Sequence, residues 1–242
     1  EELTLKLKYK VIGVSLNKDG KPVYKGRDFI RNSRNFGVPQ NRPRTYIIGF
    51  DSKRFPSELM EKLPAEMPKE RAKKIYSDLN DLLEHNVEAK YYMSSGYLET
   101  LKCHRERQEG KGYGFGYRVV NEEGIVSPVA NTLLATGGSG KERNLIYDLR
   151  QGIEGTEIKG KKTPLNNEGI RVMTPTEWGK LQGFINYAFL DEDGREGFSF
   201  PEGISGAQKY KQFGNSVTIP AIEEMAKFIA KCLDILFCEE VK

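Results

Sequence analysis

Cysteine, histidine and tryptophan are scarce in this chain, with 3 Cys, 2 His and 1 Trp among 242 residues. Cys103, Cys232 and Cys238 form no CxxC pair and are odd in number, so they frame neither a disulfide scaffold nor a zinc cluster. His85 and His104 cannot complete a ligand set, and no metal site is expected. Reduced thiols in a cytoplasmic protein are the simplest reading. No apolar run approaches the ~18 residues of a membrane span, and no secretory signal is recognisable, so no membrane partner is expected. Internal repeats and low-complexity tracts are also missing. The chain opens Glu1-Glu2-Leu3 without an initiator Met, and an apolar stretch follows at once. The expectation is a sequence that starts inside a fold.

What is present is globular. Hydrophobic residues make up 38% of the chain and charged residues 30%, enough for one large domain or two small ones with a real core. The net charge of +4 permits a nucleic-acid partner without demanding one.

Tyr9 to Leu16 reads as a strand on its β-branched Val11, Ile12 and Val14, followed by the turn Asn17-Lys18-Asp19-Gly20. Thr45 to Phe50 reads as a second, buried strand. With no crossover helix between them, the two are expected to be antiparallel. Arg31 to Asn41 reads as an ordered loop. Residues 51–90 are polar and broken by Pro56, Pro64 and Pro68, with a helical turn or two expected around Ile75, Leu79, Leu82 and Leu83. A helix is expected within Tyr91–Lys111. Behind it comes an alternation of glycine and aromatics, Gly112-Tyr113-Gly114-Phe115-Gly116-Tyr117. Short strands near Arg118–Val120, Ala130–Ala135 and Leu145–Asp148 make the middle a β-leaning, loop-rich module.

Thr174-Pro175-Thr176-Glu177 has the form of a capping box, with Thr174 as N-cap and Pro175 in the first helical position, and the helix should stop at Gly183. A final helix begins near Pro220. Its Ile222, Met225, Ile229, Cys232, Leu233 and Leu236 share a 3.6-residue period and form one apolar face.

Three blocks carry chemistry. In Phe36 to Arg44, Arg42 and Arg44 lie two apart at a strand edge, so their guanidinium groups point to one side. There they would bind phosphate or a base oxygen, or else brace a loop through salt bridges. Arg171 to Glu177 is a well-capped helix start, with Arg171 placed to brace a neighbouring loop. Tyr210 to Val217 reads as a Gly-Asn-Ser turn at a helix start, exposing backbone N–H groups, a hydroxyl and an amide. Those groups suit a polar cofactor better than a core, although an ordinary capped loop has the same form.

Together and in this order, the blocks resemble the last three motifs of the bacterial DNA cytosine-5 methyltransferases. Gln40, Arg42 and Arg44 match the family's Gln-x-Arg-x-Arg. Arg171 to Glu177 matches Arg-x-Leu-Thr-x-x-Glu with Met173 for Leu, extended by Leu181-Gln182-Gly183-Phe184. Gly214 to Val217 matches Gly-Asn-Ser-Val. The resemblance implies an α/β chain, the C-terminal part of a Rossmann-like S-adenosylmethionine-dependent methyltransferase fold with a small β-rich target-recognition domain. Residues 1–55 would be the last strands of the catalytic domain and 56–168 the linker and recognition domain. Residues 169–204 would hold the capped helix, and 205–242 the cofactor-pocket turn and returning helix.

It also implies roles. Arg44 would contact a cytosine rotated out of the duplex, with Arg42 and Gln40 shaping the same wall. A guanidinium at O2 would stabilise the electron density that attack at C6 pushes into the ring. Gly214, Asn215, Ser216 and Val217 would hold S-adenosylmethionine, with Gly214 allowing its close approach. Thr132 and Leu133 resemble the recognition domain's Thr-Leu pair, ahead of the glycine-rich loop containing Gly137 and Gly138. Lys141 and Arg143 would contact duplex DNA there, with Arg171 as a further DNA-facing residue. A surface turn is the alternative for the basic pair. Gly-Lys-Glu-Arg-Asn-Leu is reminiscent of members reading CC-N-GG-like sites.

The family's glycine-rich cofactor loop, Pro-Cys nucleophile and Glu-Asn-Val acid are not in this sequence, and His85-Asn86-Val87 has His where the acid belongs. C5 methylation needs a thiolate, so the chain alone is expected to be inactive and to need an N-terminal half or subunit. The rivals are a non-catalytic DNA-binding module and, less well matched to so large a recognition module, a tRNA methylase.

Overall fold

The computed structural model describes residues 2–114, 116–136 and 140–237. Its α-helices are α1 (Ser57–Glu61), α2 (Ser95–Glu109), α3 (Pro175–Gln182), α4 (Gly206–Asn215) and α5 (Ile219–Phe237). The chain forms two compact units. The first comprises Glu1–Gly37, Pro43–Lys74 and Pro220–Lys242, and the second Val38–Arg42 and Ile75–Ile219. No described helix is long and apolar enough to cross a membrane.

In the first unit the expected strand from Tyr9 is cut short. Tyr9–Val11 pairs antiparallel with Gly49–Asp51, and at Gly13 the backbone turns to a φ of 88°. Extension resumes at Ser15–Leu16, which pairs with Pro22–Val23 across the anticipated turn. There the Asn17 side chain accepts hydrogen bonds from the backbone N–H groups of Asp19 and Lys21. The expected Thr45–Phe50 strand is likewise divided. Pro43–Thr45 pairs with Ile30–Asn32, whereas Gly49–Asp51 pairs with Tyr9–Val11, antiparallel as anticipated.

Phe29, Phe36, Ile48, Phe50, Leu59 and Met60 form this unit's core with Met225, Phe228, Cys232 and Leu236 of α5. The apolar face of α5 is therefore rotated from the expected one. Ala221 and Phe228 turn inward, while Ile222 and Ile229 are exposed. Helix α1 had no periodic signal in so short a segment; Pro56 precedes it and its Leu59 and Met60 are buried. Arg31 is buried here too, donating to the carbonyls of Asp28, Met67 and Pro68.

The second unit is built around α3 and α4. The Thr174 side chain accepts from the Glu177 N–H and the Glu177 carboxylate accepts from the Thr174 N–H, so the anticipated capping box is formed. Gly183 closes α3 at a φ of 78°, which glycine adopts without strain. A second capping box, at Ser205 and Gln208, starts α4. Trp178, Leu181, Tyr210 and Phe213 pack with Leu79, Leu82, Leu133 and Ile146. Leu145–Tyr147 runs antiparallel to Ile170–Val172, and Gln40–Asn41 runs parallel to Ala130–Asn131. The expected helix forms as α2, and among the described residues the expected strands shorten to Ala130–Asn131 and Leu145–Tyr147, with a single bridge from Val119 to Leu145.

Arg171 lies at the centre of this unit and is wholly buried. Its guanidinium donates in a fork to the two oxygens of Glu177, at 2.9 and 2.8 Å, and Nε reaches Asp148 at 2.6 Å. Burial opposes the charge, but the Glu177 and Asp148 carboxylates outweigh it and raise the guanidinium pKa. The expectation that Arg171 faces DNA is thus corrected, because its donors are spent on the capping carboxylate of α3. Breaking such a pair from one side strands a buried charge. Arg171→Met should cost about 3–5 kcal/mol in urea unfolding, and the double change R171M/E177M should recover part of that loss.

Candidate functional site

The Gly-Asn-Ser segment is the end of one helix, not the start of another. Gly214 and Asn215 close α4, Ser216 caps it, and α5 begins at Ile219. A helix end leaves carbonyl groups without partners, and here those of Phe213, Gly214 and the cap Ser216 find side-chain donors. The Phe213 carbonyl accepts from Gln182 Nε2 at 2.9 Å and from the Ser216 hydroxyl at 2.8 Å. The Gly214 and Ser216 carbonyls accept from Arg42 Nη2, at 2.9 and 2.6 Å. A cation at this end also suits the helix dipole.

Arg42 Nη1 donates to the Leu133 carbonyl at 2.8 Å, so a single buried guanidinium links residues 42, 133, 214 and 216. Beside it, Gln40 is wholly buried, donating to the Leu181 carbonyl at 3.2 Å and accepting from the Leu133 N–H at 3.4 Å. Gln182 accepts from the Thr218 hydroxyl at 3.0 Å. The three sequence blocks therefore meet at Gln40, Arg42, Leu181, Gln182 and Gly214–Ser216.

Several expected roles change on this geometry. Arg42 lies in neither of its flanking strands, so the alternation that would point it with Arg44 does not apply. Arg42 is consumed by carbonyl groups in the second unit, whereas Arg44 is part-exposed in the first and donates to the Pro43 carbonyl at 2.7 Å. Gly214 is glycine because of packing: a Cβ there would sit 2.3 Å from the Leu134 carbonyl oxygen. Leu133 is a core residue, and its side chain is not available to DNA.

Lys141 is half-buried with Nζ 3.9 Å from the centre of the Tyr210 ring, a cation–π contact, and burial lowers its pKa. Its ammonium is thus engaged by a ring of the protein itself. Gly137 and Gly138 lie outside the described residues. Asn215, Val217 and Arg143 are exposed, and Thr132 is partly so while its hydroxyl donates to the Asn41 carbonyl.

Thr132 and Arg143 line one cleft of about 580 Å³, together with Asn131, Arg105, Tyr117 and Arg118. Arg118 was not singled out from the sequence, where only the glycine–aromatic run just before it stood out.

The family model for C-5 cytosine-specific DNA methylase matches residues 4–231. The chain belongs to this family. It is 40% identical over 210 residues to the type II methyltransferase M.HpaII of Haemophilus parainfluenzae, covering 86% of this chain and 51% of that protein. With M.SsoII of Shigella sonnei it shares 32% over 202 residues, covering 84% and 43%. Thus the chain spans about half the length of the curated relatives it matches. Among solved structures, the Entamoeba histolytica methyltransferase EhMeth aligns with a TM-score of 0.52 at 19% identity, covering 84% of this chain and 52% of that one. Spodoptera frugiperda DNMT2, in a mutant form, aligns equally well at 18% identity, covering 84% and 56%. At such identities the likeness speaks for the fold, the α/β fold of the S-adenosylmethionine-dependent methyltransferases.

A Cβ at position 214 must displace backbone, so Gly214→Ala should lower stability by about 1–3 kcal/mol. Asn215→Ala, at an exposed neighbour, should stay within about 0.5 kcal/mol of wild type. Thermal unfolding of the two variants separates them, and equal losses would contradict the packing role of Gly214.

Proposed function

We propose that the chain is the C-terminal half of a restriction–modification DNA cytosine-5 methyltransferase, which transfers a methyl group from S-adenosylmethionine to C5 of cytosine in duplex DNA. The observation that carries this reading is the Arg42 tie. It fixes the Gly214 and Ser216 carbonyls to the Gln40–Arg42 segment and to Leu133, yet leaves the Asn215 and Val217 side chains facing solvent. A turn held so firmly from behind and so open in front suits a ligand. The Asn215 carboxamide, Ser216 and Val217 would hold S-adenosylmethionine, which supplies the electrophilic methyl group when bound.

Arg44 would meet the target cytosine. Its donors beyond the contact with the Pro43 carbonyl are available, and a fixed guanidinium at O2 stabilises charge that develops only during reaction. Residues 56–168 would contain the target-recognition domain, with Thr132 and Arg143 on the DNA.

The thiolate would come from an N-terminal half. Cys103 is exposed on α2 and follows Lys102, not Pro, whereas Cys232 is a core residue whose thiol pKa is raised by burial. This chain alone would therefore be inactive. Exposed apolar residues support such a partner. Ile222, Ile229 and Phe237 recur along α5, and Ile47 is exposed between the two strand segments of the first unit. The strands there form two-stranded sheets, which are marginal without further neighbours.

The test is reconstitution. The chain mixed with a matching N-terminal half should transfer labelled methyl groups to duplex DNA, while neither half does so alone. Arg44→Ala should lower kcat roughly 10²–10³-fold with little change in duplex affinity. An inactive mixture that still binds DNA through this chain would favour the rival, a non-catalytic DNA-binding module, which needs neither an available Arg44 nor an open Asn215.

A further inference from the structure

The glycine–aromatic segment ending in Arg118 has no part in the cofactor turn or the Arg42 tie. It forms one wall of the 580 Å³ cleft, through Gly114, Gly116, Tyr117 and Arg118. Asn131, Thr132 and Arg143 line the same cleft.

Three segments are clamped together at the backbone beneath this cleft. The Arg118 N–H donates to the Glu142 carbonyl at 2.8 Å, and the Leu145 N–H donates to the Arg118 carbonyl at 2.8 Å. Asn144, itself buried, accepts from the Asn131 N–H at 2.7 Å and donates to the Asn131 carbonyl at 3.3 Å. The Asn131 amide in turn donates to the Arg143 carbonyl at 2.7 Å. The main chain under Arg118 and Arg143 is thus fixed in register, while both side chains remain exposed. Two exposed guanidinium groups on one cleft offer many N–H donors to an acceptor-rich partner.

The carboxylates nearby narrow the partner. Glu109 is paired with Arg105 at 2.7 Å, and Glu142 accepts from the Tyr97 hydroxyl and the Gly140 N–H. Glu122 remains on the cleft wall. A site built for a phosphate would exclude that carboxylate. A base-pair edge carries acceptors and donors side by side, so it suits two arginines with a glutamate: guanine offers O6 and N7, cytosine its N4 amino group. At Gly114 a Cβ would meet nothing within 4 Å, so packing does not require glycine there, and its smallness leaves room for close approach of a ligand.

We propose that this cleft reads a base-pair edge of duplex DNA, with Arg118 as a specificity-determining residue that donates to guanine from the cleft it shares with Thr132 and Arg143. The assignment rests on the DNA-methylating reading above and adds to it a second recognition segment, residues 116–118.

The test is selection of a randomised duplex pool by the full chain, followed by sequencing. Wild type should enrich a defined sequence. Arg118→Ala should lose roughly 5-fold or more of its preference for guanine at one position and keep the preferences elsewhere. Arg118→Lys should lose that preference too, because a single ammonium cannot make the paired contact. Circular dichroism should match wild type for both variants, since the clamping bonds are to backbone. A uniform loss on all sequences with a salt dependence reduced by about one charge would overturn the assignment in favour of a phosphate contact. Unchanged preferences would overturn it outright. A wild-type chain that enriches no sequence would instead remove the DNA-reading premise, an outcome distinct from either.

Discussion

One buried guanidinium organises the second unit. Arg42 directs both terminal nitrogens at the carbonyls of Leu133, Gly214 and Ser216, joining two stretches of chain far apart in sequence. Carbonyl acceptors bring partial charge without a full counter-ion, so the cost of desolvating the cation is met only if the geometry of all three is kept. The turn between α4 and α5 therefore cannot move without disturbing residue 133. Gln40 and Gln182 extend the constraint to the end of α3 and to Phe213.

The Arg171–Glu177–Asp148 cluster is a second polar centre in the same unit, with a different logic. Glu177 serves as the capping carboxylate of α3, as counter-ion to Arg171, and as acceptor for the Glu84 N–H at 2.9 Å. Such a buried pair is weak evidence for stability, since well-packed apolar residues would do as well. It does fix the helix start to the Leu145–Tyr147 and Ile170–Val172 strands in one geometry. Both centres hold helix ends, where backbone groups lack internal partners, and so each joins fold to site.

Much of this was legible in the chain itself. The capping box at Thr174, the stop at Gly183, a helix within Tyr91–Lys111 and the final helix near Pro220 follow from local rules, and the structure has all of them. The order of the three motif blocks pointed to the family to which the chain belongs. Long-range partners were not legible. Nothing local says that Arg42 and Arg171 turn inward while Arg44 and Arg143 stay accessible, because arginine is equally suited to a buried carbonyl cluster and to DNA. Gly214 looked like a residue making room for a ligand, and it makes room for the Leu134 backbone. The period of α5 marked an apolar helix but not which edge of its stripe is covered, so Ile222 and Ile229 were expected inside. Arg118 carried no motif of its own; only the hydrogen bonds to residues 142 and 145 bring it to the cleft.

The most direct measurement of the central claim is amide hydrogen exchange in Arg42→Lys compared with wild type. Lysine keeps the charge and cannot span three carbonyls. Exchange should quicken together at residues 133–136 and 214–218, while the Arg171 centre at residues 170–174 keeps its protection. If residues 214–218 stay as protected as in wild type, or if protection is lost uniformly across the second unit, Arg42 is not the tie that holds the turn to residue 133.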